Sequence, residues 1–137
     1  MQVEKSCGAV VFTRVNGEIR YVLAQNLEGY YGFPKGHMEA EETEEQTALR
    51  EICEEVGLHP RLIEGFRTCA EHPLPKKPGV MKQVIYFLAE YANQEISYQR
   101  EELLSAPLVS YEEAMTLFVF ESSRRILTEA HPFLQKL

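Results

Sequence analysis

Three glutamates near the middle of the chain have the types and spacing that metal-supported phosphate chemistry requires. Glu51, Glu54 and Glu55 lie within five consecutive residues, so on an α-helix, which turns about 100° per residue, they share one face. Like charges at this spacing cost an isolated helix about 0.2–0.5 kcal/mol per pair, and a bound cation would offset that repulsion. Mg²⁺ prefers oxygen ligands and commonly bridges one or two carboxylates to substrate phosphates. The three glutamates are therefore candidate ligands of Mg²⁺, with Mn²⁺ as the alternative metal.

A helix must position these carboxylates, and the sequence marks both of its ends. Thr43 and Gln46 have the spacing of a capping box, and Gly57 stands where a left-handed C-cap is expected. The opposite face carries small and apolar side chains that would pack on a core, namely Ala48, Leu49, Ile52, Cys53 and Val56. The pattern predicts an amphipathic helix with its carboxylates toward solvent.

Two further residues are candidates for the same site. Gly36 precedes the helix in a short loop, and because it has no side chain its backbone can approach a ligand closely. Its carbonyl oxygen is therefore a candidate metal ligand. Arg50 adjoins Glu51 and precedes Glu54 by four residues, a position from which a guanidinium can orient both carboxylates. The alternative interpretation is a solvated helix face, which is what paired glutamates usually form.

The segment 36–58, GHMEAEETEEQTALREICEEVGL, resembles the Nudix box at every defined position. The matching residues are Gly36, Glu42, Arg50, Glu51, Ile52, Glu54, Glu55, Gly57 and Leu58. The chain is thus identified as a member of the Nudix hydrolases. The resemblance implies one Nudix domain over residues 1–137, an α/β/α sandwich with a mixed β-sheet, and Mg²⁺-dependent pyrophosphohydrolase activity. It also implies that Gly36, Glu51 and Glu55 bind the metal and that Glu54 is the leading general base.

Segments outside the box resemble the asymmetrical diadenosine tetraphosphate hydrolases. They are GFPKGH at 32–37, IEGF at 63–66, KQVIYFLAE at 82–90 and HPFL at 131–134. The resemblance implies cleavage of dinucleoside polyphosphates, with ATP and AMP as the products from diadenosine tetraphosphate. Other substrates stay open: the 5′ end of RNA, a nucleoside triphosphate or an inositol pyrophosphate. A further alternative is a non-catalytic Nudix domain that senses a nucleotide.

The same resemblance assigns roles to residues around the box. Lys35, His37 and Lys82 match positions that surround the phosphate chain, and their donors suit phosphate oxygens. Glu102 matches a distal glutamate that reaches the metal cluster and is the reserve base, with Glu101 as its competitor.

The expected base pocket departs from the subfamily. Tyr31 stands where a tryptophan commonly precedes the Pro-Lys-Gly-His stretch, and the chain has no tryptophan. His72 stands where a tyrosine that sandwiches adenine is expected. Tyr30 and Tyr86 are further stacking candidates, with burial in the core as the alternative for Tyr86.

Composition fits a small enzyme of one domain. A chain of 137 residues with 45% hydrophobic residues can fill a single core. The formal charge of −7 argues against a general nucleic-acid clamp, and we expect no DNA-binding segment, so RNA would enter only as a substrate. Lys76, Lys77 and Lys82 form a basic cluster that could meet a polyphosphate or lie in a solvated loop.

Compartment and partners are indicated only broadly. The three cysteines are widely spaced without a CxxC pair, which indicates neither a disulfide framework nor a zinc site. The N-terminal apolar run is too short for a secretion signal or a membrane span, so we expect a cytoplasmic protein without a membrane partner. The oligomeric state is not specified by the sequence.

Strand and helix patterns surround the box. Apolar runs on both sides of Asn16-Gly17 predict a β-hairpin. Strands are predicted within 61–71 and 82–91, on either side of a proline-rich turn, and near 95–99. Helical spacing is found over 111–118 and 121–130. This order of elements predicts a mixed sheet between helices.

Overall fold

Ten strands and three helices follow one another in residues 2–137, the part of the chain that the computed structural model describes. The strands are β1 (Gln2–Val15), β2 (Glu18–Val22), β3 (Ala24–Asn26), β4 (Tyr31–Gly32), β5 (Lys35–His37), β6 (Arg61–Leu62), β7 (Thr68–Pro73), β8 (Val80–Glu90), β9 (Leu103–Ser105) and β10 (Leu108–Val109). The helices are α1 (Glu44–Val56), α2 (Tyr111–Leu117) and α3 (Glu121–Gln135). None of these helices is long and apolar enough to cross a membrane.

The central sheet is mixed, as predicted. Its strand order is β10-β2-β1-β8-β6, with β5 added to β1 and β7 added to β8. The long strands β1 and β8 run parallel, and the other pairs in this sheet are antiparallel. A small second sheet has the order β4-β3-β9. This parallel pair places residues 2–12 beside residues 80–90 at the centre of the sheet.

Helices cover both faces of the central sheet. Alternate residues of β1 and β8 point to opposite faces, so each face contributes apolar side chains to its own core cluster. One face packs on α2 and α3 through a cluster that includes Val10, Phe12, Tyr86, Leu88, Phe118, Ile126, Leu127 and Leu134. The other packs on α1 through a cluster that includes Ala9, Val11, Ile85, Phe87, Ala48, Ile52 and Val56. The predicted α/β/α sandwich is therefore confirmed.

Local sequence signals placed the hairpin and the first helix correctly. Asn16 and Gly17 both have positive φ, 52° and 81°, as a two-residue turn of this type requires. The Thr43 side chain accepts a hydrogen bond from the Gln46 N–H, the reciprocal bond of the capping box is also formed, and Gly57 is a left-handed C-cap. Leu49 was wrongly assigned to the core, because it lies off the Ala48–Ile52–Val56 stripe and is 36% exposed.

Two other predictions of the sequence need correction. No strand forms at 95–99, because the Ser97 and Gln99 N–H groups donate to the Val56 and Glu55 carbonyls at the end of α1. The neighbouring strand is β9, further along the chain. The last helix does not end at residue 130 but continues through Pro132 to Gln135. The segment 61–71 forms two strands, separated by a turn in which Gly65 has φ 97°.

Gly8 marks a close approach of β1 to the segment before the first helix. A Cβ at this position would lie 2.1 Å from the Pro34 carbonyl oxygen and 2.6 Å from the Lys35 Cβ. These atoms belong to the backbone or its first side-chain carbon, so they cannot swing away. We expect Gly8→Ala to lower the free energy of unfolding by about 1–3 kcal/mol, the usual cost of overpacking.

Urea denaturation measures this effect, and Gly32→Ala is the matched control because a Cβ at Gly32 would meet no atom within 4 Å. Equal stability of the two variants would show that β5 is not held as tightly against β1 as the distances indicate.

Candidate active site

The Glu51 carboxylate lies directly against Gly36. Helix α1 packs on β5, and β5 is held in the central sheet by pairing of Gly36 with Cys7 of β1. A Cβ on Gly36 would fall 2.0 Å from Glu51 Oε1 and 2.3 Å from Oε2. The space that Glu51 occupies therefore exists only because residue 36 has no side chain.

Glu55 lies one helical turn further along α1 and contacts the same strand. Its Oε1 accepts a hydrogen bond of 3.2 Å from the Lys35 N–H. Burial raises the pKa of Glu55 to about 7, and the negative charges of Glu51 and Glu102 act in the same direction. Burial also raises the pKa of Glu51, with further contributions from Glu54 and Glu102. Excess negative charge is therefore concentrated where α1 meets β5.

Arg50 connects this cluster to the loop before the helix. Its Nη1 donates to Glu51 Oε2 and Glu54 Oε1, both at 3.1 Å. Its Nη2 donates to the His37 carbonyl at 2.9 Å, which ties α1 to the end of β5. The guanidinium thus holds two of the three candidate carboxylates in place, in the manner expected of a positioning residue.

Glu42 is the residue whose contribution sequence reasoning missed. It accepts two hydrogen bonds from Arg50, from Nε at 2.6 Å and from Nη2 at 3.0 Å. The Arg50 hydrogen bonds hold the pKa of Glu42 at about 2, with help from the Glu39 N–H and the Thr47 hydroxyl. Its fixed position in the box could have indicated a role. The contact with Arg50 was not predicted, because the two residues are eight positions apart and Glu42 lies before the helix.

The three candidate carboxylates lie along one side of α1 but do not form a complete cation site among the described residues. Within residues 2–137, no three His, Cys or acidic side chains converge closely enough to hold a metal by themselves. Glu54 is half exposed and turned toward Arg50, while Glu51 and Glu55 remain beside β5. Mg²⁺ needs only one or two carboxylates when phosphate oxygens and water complete its shell. The donor set is entirely oxygen, which fits such an ion, and Arg50 compensates part of the charge of Glu51 and Glu54.

A cleft of about 590 Å³, a volume typical of ligand sites, begins at Glu55. Its other end is lined by Tyr30, Tyr31 and Phe120, which we call the aromatic wall. Four of the predicted site residues line the cleft: Tyr31, Lys35, Glu55 and His72. Tyr86 also reaches the cleft but is 93% buried and packs edge-on against Phe33 at 5.6 Å, so its main role is in the core.

The aromatic wall includes one residue that the sequence did not single out. Phe120, the residue before α3, lies 5.1 Å from Tyr30 between ring centroids, with the ring planes at 54°. Phe120 and Tyr30 are 50% and 40% exposed, respectively. Large aromatic surfaces that remain this open beside a cleft can stack on a ligand ring. The only sequence signal was an aromatic residue in an apolar run before a helix.

Lys77 and Lys82 of the predicted basic cluster have different surroundings. Lys77 donates to Glu4 at 2.6 Å and is exposed in a turn. Lys82 is buried on β8, and its Nζ donates to the Ser6 hydroxyl at 2.7 Å. The charge of Lys82 lowers the pKa of His37, the largest effect on that imidazole. The charges of Lys35 and Lys77 act on His37 in the same direction, although Lys77 is also paired with Glu4.

Comparison with known proteins agrees with this geometry. Residues 5–130 match the model of the NUDIX domain. The chain is 33% identical to the asymmetrical bis(5′-nucleosyl)-tetraphosphatase of Rattus norvegicus and 34% identical to that of Sus scrofa, over 95% of each chain. The fold is shared with a Caenorhabditis elegans Ap4A hydrolase in a binary complex, with a TM-score of 0.89, 24% identity and coverage of 98% and 99% of the two chains. The chain belongs to the NUDIX domain family.

Proposed function

We propose that this chain hydrolyses dinucleoside polyphosphates asymmetrically, converting diadenosine tetraphosphate to ATP and AMP. The observation that carries the proposal is that one cleft joins the carboxylate Glu55 to exposed aromatic side chains. A dinucleoside polyphosphate requires both features, since its phosphates need cations and its bases need stacking surfaces. The names of relatives that match almost the whole chain support the same substrate class.

The metal in this proposal is Mg²⁺, with Mn²⁺ as the substitute, held by Glu51, Glu55 and the Gly36 carbonyl. When bound, the ion would neutralise phosphoryl oxygens and lower the pKa of a coordinated water. Glu54 takes the proton from the attacking water, and Arg50 keeps its carboxylate in place through the 3.1 Å hydrogen bond. Glu102, whose charge acts on Glu51 and Glu55, is the reserve base.

Substrate binding is divided between the two ends of the cleft. Lys35, which lines the cleft beside Glu55, and His37 and Lys82, which lie outside its lining, donate to phosphate oxygens. At the other end, Tyr31, His72 and the exposed pair Tyr30–Phe120 supply ring faces for a base. The three free thiols suit a reducing compartment, so the proposed location is the cytoplasm.

The function is tested by incubating the purified protein with diadenosine tetraphosphate, Mg²⁺ and water labelled with heavy oxygen. We expect AMP and ATP in equal amounts, with the label in one product only. Removal of divalent ions by a chelator should abolish turnover. A panel containing a 5′-triphosphate RNA, nucleoside triphosphates and an inositol pyrophosphate is run in parallel. A higher kcat/KM for one of these, or nucleotide binding without any turnover, would replace the proposed substrate or activity.

The base assignment is tested by Glu54→Gln. Loss of proton transfer to a positioned base is expected to lower kcat about 10²–10⁴-fold with little change in KM. Glu45→Gln is the matched control, because Glu45 is an exposed glutamate on the same helix. Turnover that Glu54→Gln leaves intact would transfer the base to another carboxylate, and Glu102→Gln would be measured next.

A further inference from the structure

Lys82 is a buried lysine with little compensation for its charge. Its side chain is on β8, and the residue is 9% exposed. Removing an ammonium from water is costly unless a counter-charge or several hydrogen bonds replace the lost hydration. An apolar side chain at this position would avoid the free-energy cost of burying a charge.

The structure supplies that ammonium with one neutral partner. Lys82 Nζ donates to the Ser6 hydroxyl at 2.7 Å, and Ser6 itself is 1% exposed. No carboxylate in the described part of the chain lies within 4.0 Å of Nζ. Glu4 is opposite Lys82 in the β1–β8 register but is paired with Lys77 at 2.6 Å. An ammonium has three N–H donors, so Ser6 leaves donors for a further acceptor.

Charge around Lys82 is positive on several sides. Burial lowers the pKa of Lys82, and the charges of Lys35 and Lys77 lower it further, with only Glu4 acting in the opposite direction. A bound anion would offset the free-energy cost of burying the Lys82 ammonium among these positive charges. The region thus has the electrostatics of an anion site whose ammonium is already desolvated and held in place.

Sheet register places Ser6 and Lys82 in two neighbouring rows on the same face of the sheet. Ser6 is opposite His37 of β5, and Lys82 is opposite His72 of β7. Directly opposed residues of adjacent strands point to the same face, and for Ser6 and Lys82 this is the face that carries Val10 and Val84 of the α2–α3 core. The Lys82–Ser6 hydrogen bond joins the two rows, one of which reaches β5 at His37 and the other β7 at His72 in the cleft.

We propose that Ser6 is a positioning residue for polyphosphate binding, whose buried hydroxyl holds the Lys82 ammonium toward the phosphate chain. This inference rests on the proposed function for its substrate, but the binding step itself requires no turnover. Because the Lys82 Nζ leans over β1, one strand spacing of about 5 Å from β5, it meets a phosphate beside the one at the carboxylates. Ser6 therefore acts on substrate affinity rather than on the chemical step.

Inorganic tripolyphosphate is the probe, and its affinity is measured by titration calorimetry without divalent ions. We expect Ser6→Ala to weaken binding about 5–10-fold. Ser6→Cys, which fills similar space with a weaker acceptor, should weaken it in the same direction and serves if Ser6→Ala fails to fold. Thr13→Val is the matched control, since the Thr13 hydroxyl is a buried donor at the other end of β1, bonded to the Tyr91 carbonyl at 2.7 Å. Unchanged affinity in both Ser6 variants would overturn the inference.

A double-mutant cycle with Lys82→Met distinguishes positioning from a general structural role. If Ser6 acts through Lys82, Ser6→Ala should have no further effect on tripolyphosphate affinity in the Lys82→Met background. Additive effects would contradict the inference. With diadenosine tetraphosphate, KM should rise about 5–10-fold in Ser6→Ala while kcat stays within twofold.

The two proposals fail separately. Weaker tripolyphosphate binding in a protein that does not cleave dinucleoside polyphosphates would retain the role of Ser6 and refute the function. Normal cleavage of dinucleoside polyphosphates together with unchanged tripolyphosphate affinity in Ser6→Ala would retain the function and refute the role of Ser6.

Discussion

Replacing Glu55 with glutamine is expected to lower kcat for diadenosine tetraphosphate about 10³-fold or more and, at the same time, to stabilise the metal-free protein at pH 8. The proposed role of Glu55 as a metal ligand accounts for a loss of this size, since a metal contributes several kcal/mol of charge stabilisation and each 1.36 kcal/mol is tenfold in rate. The stability gain arises because Glu55 is a partly buried carboxylate that glutamine replaces without charge.

The sign of the stability effect follows from the pKa of Glu55, which burial raises from 4.5 to about 7. The folded protein binds this proton more tightly than the unfolded chain, so the contribution to stability is complete below about pH 4.5 and is lost as the pH rises through 7. At pH 8 the ionised carboxylate destabilises the fold. With solvent screening, we expect Glu55→Gln to add about 1–2 kcal/mol at pH 8 and almost nothing at pH 4.

Urea denaturation in a chelator at the two pH values measures this difference. Glu45→Gln on the exposed side of α1 is the control for the loss of one charge from the helix. Mg²⁺ should raise the melting temperature of the wild-type protein and have less effect on Glu55→Gln, because only the folded site binds the ion. A variant that keeps its turnover, or that is destabilised at pH 8, would contradict the placement of Glu55.

The second large effect is expected from Gly36→Ala, which should lower kcat/KM about 10²–10³-fold with little loss of stability. The added Cβ would lie 2.0 Å from the Glu51 carboxylate, but a carboxylate at the end of a flexible side chain can rotate away. The fold therefore survives while the proposed metal ligand Glu51 is displaced, and a displacement of about 1 Å at a catalytic group can cost 10²-fold.

This prediction is checked with a double mutant. Gly36→Ala should add almost nothing to the defect of Glu51→Gln, because both changes remove the same carboxylate from its position. Independent, multiplying defects would show that Gly36 acts by another route. Urea denaturation should place Gly36→Ala within about 1 kcal/mol of the wild type, in contrast to Gly8→Ala, whose Cβ would meet backbone atoms.

The parts of the fold that the sequence predicted correctly depend on contacts between near neighbours. The capping box of Thr43 and Gln46 and the turn at Asn16-Gly17 each involve residues within three positions of each other. The predicted strand at 95–99 was wrong because its N–H groups bond to the carbonyl end of α1, about 40 residues earlier in the chain. Hydrogen bonds to a distant element leave no local pattern.

The candidate site divides in the same way. The box marked Glu51, Glu54 and Glu55 as candidates, because helical spacing alone puts them on one side of the helix. Tyr30 and Tyr31 were predicted as stacking candidates, but Phe120 and the hydroxyl of Ser6 could not be predicted, since Tyr30–Phe120 and Ser6–Lys82 are contacts between residues 90 and 76 positions apart. The Ser6–Lys82 contact depends on the register of the mixed sheet, and the Tyr30–Phe120 contact joins two residues outside the strands and helices; both are fixed by the tertiary structure.

The parallel pairing of β1 with β8 has a consequence for how the protein acquires activity. Residues 2–12 lie beside residues 80–90, so forming this pair closes a loop of nearly eighty residues, and such non-local pairing is slow. Helix α1 can form earlier from its own caps, but the strand that it faces is anchored to β1. Recovery of turnover after dilution from denaturant should therefore lag behind recovery of helical circular dichroism.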